Sequence, residues 1–583
     1  MKIKKYLSNV IYLINNRKKA LIIILSSFFL SLIDLSVLSM IGGYVSFILT
    51  FPISNDLVNI FDISFINENL SSFINDLNQK QQIILMSIIL ICLLFLRLVF
   101  SIFVQFLITV FSLNEEISIK KKIFNYLYEQ EYKEYLKISE SEFNSTIIYY
   151  PREYRSLSLI TLLRLVNELI IVTTIFIFLL LNFTSASMIL LLVSFMFIFL
   201  YDVFFRKKLQ LIGSNLAFAF SNELKIATDF FKGFKSLKLL SVNKVFFNDY
   251  ENTLNKYKNS VLYKEIVSSL PRLLIEYFFY LIIIILVISS IILTDKNNLI
   301  NSLSVFLYAG IRLIPSISSI SNQSVKIRTS SHIVDHLYNI IYKINKTESR
   351  NTVDISKNLE FESLEFKKIN FSYDNTNLIL RNLNFKIVKD DIIGISGDSG
   401  SGKTTLIDNI VGFLKSDSGD IYLNNVKVET KTENYRNLFF YMPQNRVIFN
   451  FDLVSNITME INKDKIDYIF LNKIIKDCYL DDFILDEENK IYQHLDHNSS
   501  NLSGGQQQRI VIARAIYSRK EILILDESTN ALDKMLQKNI LKNIKKYFKS
   551  IIIISHDIES FEELIDKLYE FDNGEIHKIN KLQ

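Results

Sequence analysis

The 583-residue chain has no tryptophan, two cysteines, five prolines and 14 glycines. The cysteines stand far apart, Cys92 in an apolar run and Cys478 in a polar region, which excludes a disulfide framework and a thiolate metal site. His494 and His497 have no Cys or His neighbours at ligand spacing and read as surface residues. Without tryptophan, tyrosine and lysine must anchor any membrane interface. A net charge of +5 is small for this length and gives no case for nucleic acid.

Apolar residues are plentiful: 49% of the chain, with a mean hydropathy of +0.24, points to a membrane. Runs near 20–51, 83–113, 157–182, 186–206, 272–293 and 298–328 each approach or exceed the ~20 residues that a spanning helix needs. The first is too long for a signal-peptide core and reads as an uncleaved span. Asp56, Asp62, Glu68 and Asp76 make segment 52–82 acidic, whereas Lys120, Lys121, Lys122, Arg206, Lys207 and Lys208 make two other connections basic. The basic side faces the cytoplasm, and both termini with it. Ile66, Leu70, Phe73 and Leu77 predict a short external amphipathic helix near 65–78. Segments 114–156 and 207–271 lack Gly/Pro clusters and carry helical patterns, so the spans are expected to continue as helices that need a docking surface. These observations give an all-α six-helix membrane domain over 1–342, a polar linker over 343–358 and a second domain over 359–583 that opens β-rich.

The second domain contains IIGISGDSGSGKTTL, an apolar strand entering a glycine-rich loop and a helix. Gly397, Gly402, Lys403 and Thr404 match the phosphate-loop pattern. Backbone N–H groups of Gly397, Asp398, Ser399, Gly400, Ser401 and Gly402 can approach phosphates, Lys403 can reach the β- and γ-phosphates, and Thr404 is the expected Mg²⁺ ligand, with Thr405 beside it. Downstream come Gln444 after an apolar strand; Leu502, Ser503, Gly504, Gly505 and Gln506 before a helix; Asp526 and Glu527 closing a strand; Asp533; and His556 after another strand.

This series, with Tyr373 upstream, resembles the nucleotide-binding domain of ATP-binding cassette transporters. The resemblance implies an α/β P-loop domain that uses ATP and Mg²⁺, carried by a membrane domain of exporter type. It implies that Tyr373 stacks on adenine, that Asp526 and Gln444 join Thr404 around Mg²⁺, and that Glu527 and His556 polarise and orient the attacking water. The LSGGQ residues 502–506 would cap the ATP of a partner, with Asp533 in the segment that follows Glu527. One nucleotide domain and six spans imply half a transporter, and a homodimer is the simplest assembly. Departures are Asn530 where the family has serine, Asp557 where it often has arginine, and residues 495–499 in place of a glycine-rich segment with an acid.

Asp34, Arg97, Arg164, Glu168, Arg272, Glu276 and Arg312 fall within apolar runs, where a charge costs about 2.5–3.5 kcal/mol. Arg164 with Glu168 and Arg272 with Glu276 have pairing distance along a helix. Arg97 and Arg312 are left without evident local partners and suit an anionic substrate. The strings LLFLRLVF, SSLPRLLIEYFFY and LYAGIRLIPSISSI are similar to spans of PglK-type flippases. That resemblance implies a substrate cavity with Arg97, Arg272 and Arg312, and ATP-driven flipping of a polyprenyl-pyrophosphate-linked oligosaccharide across the bacterial inner membrane for protein glycosylation. A general exporter of lipids or antimicrobial peptides, and a nucleotide-gated channel or sensor, are the alternatives.

Overall fold

The computed structural model describes residues 2–49, 79–182, 184–240, 243–293, 296–347, 361–374, 377–398, 400–430, 432–481, 495, 502–527, 534–556 and 558–579. The chain divides into two compact units, Met1–Glu129 with Ile138–Ser349, and Gln130–Lys137 with Arg350–Gln583.

Long helices build the first unit: α1 (Lys2–Leu13), α2 (Arg17–Leu49), α3 (Gln79–Glu129), α4 (Ile160–Asn182), α5 (Thr184–Leu240), α6 (Asn243–Leu293), α7 (Lys296–Thr329) and α8 (Ser331–Thr347). The six apolar runs fall on α2 to α7. Among the described residues, Arg17–Ile41, Lys80–Glu129 and Glu140–Leu181 are long and apolar enough to cross a membrane. The external helix expected near 65–78 lies outside the described residues.

Length decides how these helices are used. The 51 residues of α3 extend about 75 Å at the α-helical rise, far more than a hydrocarbon core of ~30 Å. Along its apolar half, Ile91, Phe95 and Ile102 are exposed, a surface suited to lipid rather than water. Its other half is packed: Ile119 and Ile123 are buried with Val10 of α1, Tyr154, and Val334 and Leu337 of α8. Helices α5 and α7 approach closely at Gly213, where an added Cβ would lie 2.1 Å from the Thr329 carbonyl oxygen.

The second unit contains two sheets. Strands β1 (Ser363–Ser372), β2 (Leu378–Val388), β4 (Ser418–Leu423) and β5 (Val426–Lys427) form an antiparallel sheet in the order β2-β1-β4-β5. Strands β3 (Ile392–Ser396), β6 (Phe439–Met442), β7 (Ile522–Asp526), β8 (Ser550–Ile554), β9 (Lys567–Asp572) and β10 (Glu575–Ile579) form the other, in the order β10-β9-β3-β8-β7-β6. Here β6, β7, β8, β3 and β9 are parallel, and β10 is antiparallel to β9. The strands ILILD and SIIII are apolar almost throughout because both of their faces are covered. One core contains Leu523, Leu525, Ile551 and Ile553; the other contains Ile522, Ile524, Ile552 and Ile554.

Residues 130–137 leave the helical unit and join this one. Around the helical turn Tyr132–Tyr135, the Tyr132 ring lies 5.2 Å from that of Phe413 and packs against the core between the sheets. Lys133 donates to the Ser372 carbonyl and sits over the Phe371 ring. Residues 130–137 thus pack beside Tyr373 as a part of this second unit.

Gly213→Ala is expected to force α5 and α7 apart at a cost of about 1–3 kcal/mol. A thermal melt in detergent should show a lower transition temperature; an unchanged melt would contradict the close approach.

Candidate functional site

The parallel pairing brings four loops to one edge of the sheet. Ile395 is level with Ile554, Leu525 with Ile553, and Met442 with Leu525. The phosphate loop after β3, His556 after β8, Asp526 and Glu527 at the end of β7, and Gln444 after β6 therefore emerge together, at the carboxyl ends where α/β sheets hold ligands.

Helix α9 (Lys403–Val411) begins directly on the loop, with Gly402 at φ 105° as its cap. The nearly buried Lys403 donates through Nζ to the carbonyls of Gly397 (2.6 Å) and Asp398 (2.8 Å). Burial holds its pKa below the ordinary lysine value. A Cβ on Gly400 would meet no protein atom within 4 Å, and Ser401 Oγ is buried without a hydrogen-bond partner. Thr404 is exposed, and Thr405 Oγ1 lies 3.3 Å from the Tyr373 hydroxyl. The Tyr373 ring rests edge-on against Phe371 and is partly exposed. Ser399 and Asp533 lie outside the described residues, as do Asn530, Asp557 and segment 496–499.

Glu527 has φ 46°, a conformation rarely adopted by residues with a Cβ. Gln444 Nε2 donates to its Oε2 at 2.9 Å, and His556 Nε2 lies 2.9 Å from its Oε1. One carboxylate is thereby held from two loops. Asp526 accepts from the Tyr441 hydroxyl at 2.9 Å; burial, then the Glu527 charge, raises its pKa. A desolvated ammonium faced by two carboxylates is half of an arrangement that phosphate and a divalent cation would complete. ATP and Mg²⁺ fit this donor set: Lys403 and the loop amides would hold phosphates, and Thr404, Asp526 and Gln444 the metal. The metal would polarise the β- and γ-phosphate oxygens. Glu527, with His556, would hold a water and accept its proton.

Ser503 caps α10 (Gly504–Tyr517) in a reciprocal box with Gln506: its hydroxyl accepts from Gln506 N, and its own N–H donates to Gln506 Oε1. Gln506 thus has a local structural task, while Gly504 and Gly505 occupy the first helical turn, where N–H groups lack intrahelical partners.

Sequence reading passed over several residues here. Arg514, in the apolar face of α10, donates to the carbonyls of Asn456 and Val447 and to Asn456 Oδ1, tying this helix to the segment after Gln444. Burial lowers its pKa to about 10. Its one sequence signal is an arginine among Ile and Ala. Asp408 of α9 is buried near Asp526, and desolvation followed by that charge pushes its carboxyl to about 7. Tyr441 and Tyr132 carried no sequence signal beyond apolar pattern.

Within the helical unit the expected pairings are corrected. Arg97 and Arg312 are not without partners: Arg97 Nε donates to Asp34 Oδ1 at 2.5 Å and Arg312 Nη2 to Asp34 Oδ2 at 2.8 Å. Separations of 63 and 278 residues hid these contacts from local spacing. Among the described residues Arg164 and Glu168 form no ion pair, and Glu168 sits beside Ser316 instead. Arg272 is exposed on α6 and does not join Arg97 and Arg312 at Asp34.

Residues 380–530 match the ABC transporter family and residues 45–311 the ABC transporter transmembrane region. A solved structure titled as a bacterial Atm1-family ABC exporter with ATP bound superposes with a TM-score of 0.71, covering 96% of this chain and 95% of that one at 16% identity. The chain joins the two regions of an ABC transporter, transmembrane and ATP-binding, and has the fold of an ABC exporter. A lactococcin-G-processing and transport ATP-binding protein of Lactococcus lactis subsp. lactis is 32% identical over 44% of this chain and 37% of its own length. The ATP-dependent lipid A-core flippase of Pasteurella multocida is 28% identical over 48% of each. The chain therefore matches less than half the length of these curated relatives.

Glu527→Gln is expected to keep ATP binding and lower phosphate release by about 10²–10⁴-fold; undiminished hydrolysis would remove Glu527 from the water. Asp408 supplies a pH test in the absence of nucleotide and metal. Folded, it keeps its proton to about pH 7; unfolded, it releases it near the ordinary value of 3.8. The folded state binds more protons between these values, so this contribution to stability is complete below the lower one and is lost as pH rises through the upper. Asp408→Asn should flatten the fall in melting temperature across that window, and an unchanged slope would exclude the assignment.

Proposed function

We propose that two copies of this chain form an ATP-driven exporter for an amphiphile with a negatively charged headgroup. Two ATP molecules would be clamped between phosphate loop and LSGGQ of opposite copies, and hydrolysis would reopen the pair. Observation of Glu527 held between Gln444 and His556, facing Lys403 and Asp526, carries the ATPase reading. In each copy the helical extension seated at residues 130–137 would transmit closure to the spans. Basic connections at Lys120–Lys122 and Arg206–Lys208 support cytoplasmic placement of the nucleotide domain and termini, in a bacterial inner membrane.

For the cargo, the finer reading is a polyprenyl-pyrophosphate-linked oligosaccharide destined for protein glycosylation. Two intramembrane arginines meeting at a single anion support a phosphate-bearing headgroup. Their partial neutralisation by Asp34 favours keeping a second reading, a broader exporter of lipids or peptides, as the curated relatives' names suggest. Reconstitution decides between them. Vesicles containing the protein and labelled polyprenyl-pyrophosphate-linked sugar, anionic lipid or peptide should show ATP-dependent translocation of the first; movement of peptide alone would overturn the anionic-amphiphile reading.

A further inference from the structure

The two arginines at Asp34 raise a question of charge balance. Asp34 is the one charged residue of α2 beyond Lys19, Arg97 the one between Lys80 and Glu115 of α3, and Arg312 the one between Lys296 and Lys326 of α7. All three converge, although they come from three helices. The Asp34 side chain is 3% exposed, and each of its oxygens is taken by one guanidinium. Two guanidinium groups thus share one carboxylate in a setting where charge is expensive.

The hydrogen bonding is also incomplete. A guanidinium has five donors in a planar fork suited to paired oxygens. Arg312 Nε is buried with no acceptor. Beside this group stands Glu168 of α4, whose surroundings include Arg312, Asp34 and Ser316. Glu168 and Ser316 lie within reach of one another, and neither accepts from Arg312 Nε. The Asp34 carboxylate, with one oxygen given to each arginine, leaves a guanidinium donor without an acceptor. A phosphate group, with more oxygens and up to two charges, can supply one.

We propose that Asp34 is an internal competitor for the exported headgroup: it occupies Arg97 and Arg312 when the site holds no cargo and yields them only to a phosphate with more than one negative charge. The proposal rests on the export of an anionic amphiphile. Selectivity follows from tethering. Asp34 is held at high effective concentration, so a diester phosphate with one charge gains little by displacing it. A phosphomonoester or pyrophosphate brings the extra charge and acceptors that the two arginines lack, and wins the exchange. Asp34 is thus a specificity-determining residue that opposes cargo with a single charge.

The test uses the full-length protein in phosphatidylcholine vesicles, with ATPase stimulation titrated by phosphatidic acid (a monoester), phosphatidylglycerol (a diester) and soluble glycerol 3-phosphate. Wild type should respond at lower concentration to phosphatidic acid than to phosphatidylglycerol. Asp34→Asn should lower the half-stimulating concentration of phosphatidylglycerol by about tenfold, within the range of allosteric and competitive couplings, and shrink the preference between the two lipids. Asp34→Glu should keep the wild-type order. A folded Asp34→Asn protein with unaltered preference overturns the proposal. Where that variant does not fold, Arg312→Gln decides: it leaves a one-to-one pair of Asp34 with Arg97 and should abolish the monoester preference, and retention of the preference overturns the competitor role. Stimulation by glycerol 3-phosphate matching that by phosphatidic acid supports a free phosphate as ligand, and stimulation by the lipid alone supports a headgroup. A wild type unresponsive to every phosphate, yet translocating another cargo, overturns the export reading on which the competitor role depends. A wild type that responds to phosphate, with Asp34→Asn unaltered, overturns the competitor role alone.

Discussion

Parallel registration of four strands is the constraint on which the nucleotide site depends. Each strand contributes one functional loop, and each loop would serve nothing if its strand slipped by a residue, because alternation would turn every side chain to the opposite face. Apolar side chains fix the alignment from both sides: Ile552 belongs to one core and Ile551 and Ile553 to the other. The Glu527 N–H adds a direct tie by donating to the Ile554 carbonyl at 2.9 Å. Packing that carries no chemistry thereby positions the carboxylate that does.

The site also shows where local comfort gives way. Glu527 keeps a positive φ, Lys403 is turned onto the carbonyls of its own loop, and Asp408 is buried near the half-buried Asp526. These features share a physical origin in placing charge at the end of a covered sheet. Tyr441 supplies Asp526 with a donor, and Arg514 spreads its charge over carbonyls of the segment that follows Gln444. Polar supports from distant segments allow the reactive groups to occupy an apolar edge.

Helices and strands were legible because their information is periodic and local. The runs that became α2 to α7 announce themselves by length, and the phosphate loop by its order of glycines, lysine and threonine. LSGGQ is legible as a motif, but the reciprocal capping by Ser503 and Gln506 belongs to the folded helix. Contacts across long separations were not legible. Nothing near Arg97 or Arg312 points to Asp34, and spacing alone suggested that Arg164 and Glu168 form a pair, which the folded bundle does not make. Tyr132 looked like one more residue of a helical extension, and its seat against Phe413 depends on a surface formed nearly three hundred residues later in the chain.

That seat has a topological result. The chain enters the nucleotide-binding unit at Gln130, leaves it at Lys137, and returns only at Arg350. A polypeptide cut to the cassette alone would lack one of its own structural pieces, leaving the rings of Phe371 and Phe413 without the side chains that cover them. The cassette is therefore not a detachable motor but an assembly stitched in part from its neighbour's thread, finished only after the intervening membrane segments have been made.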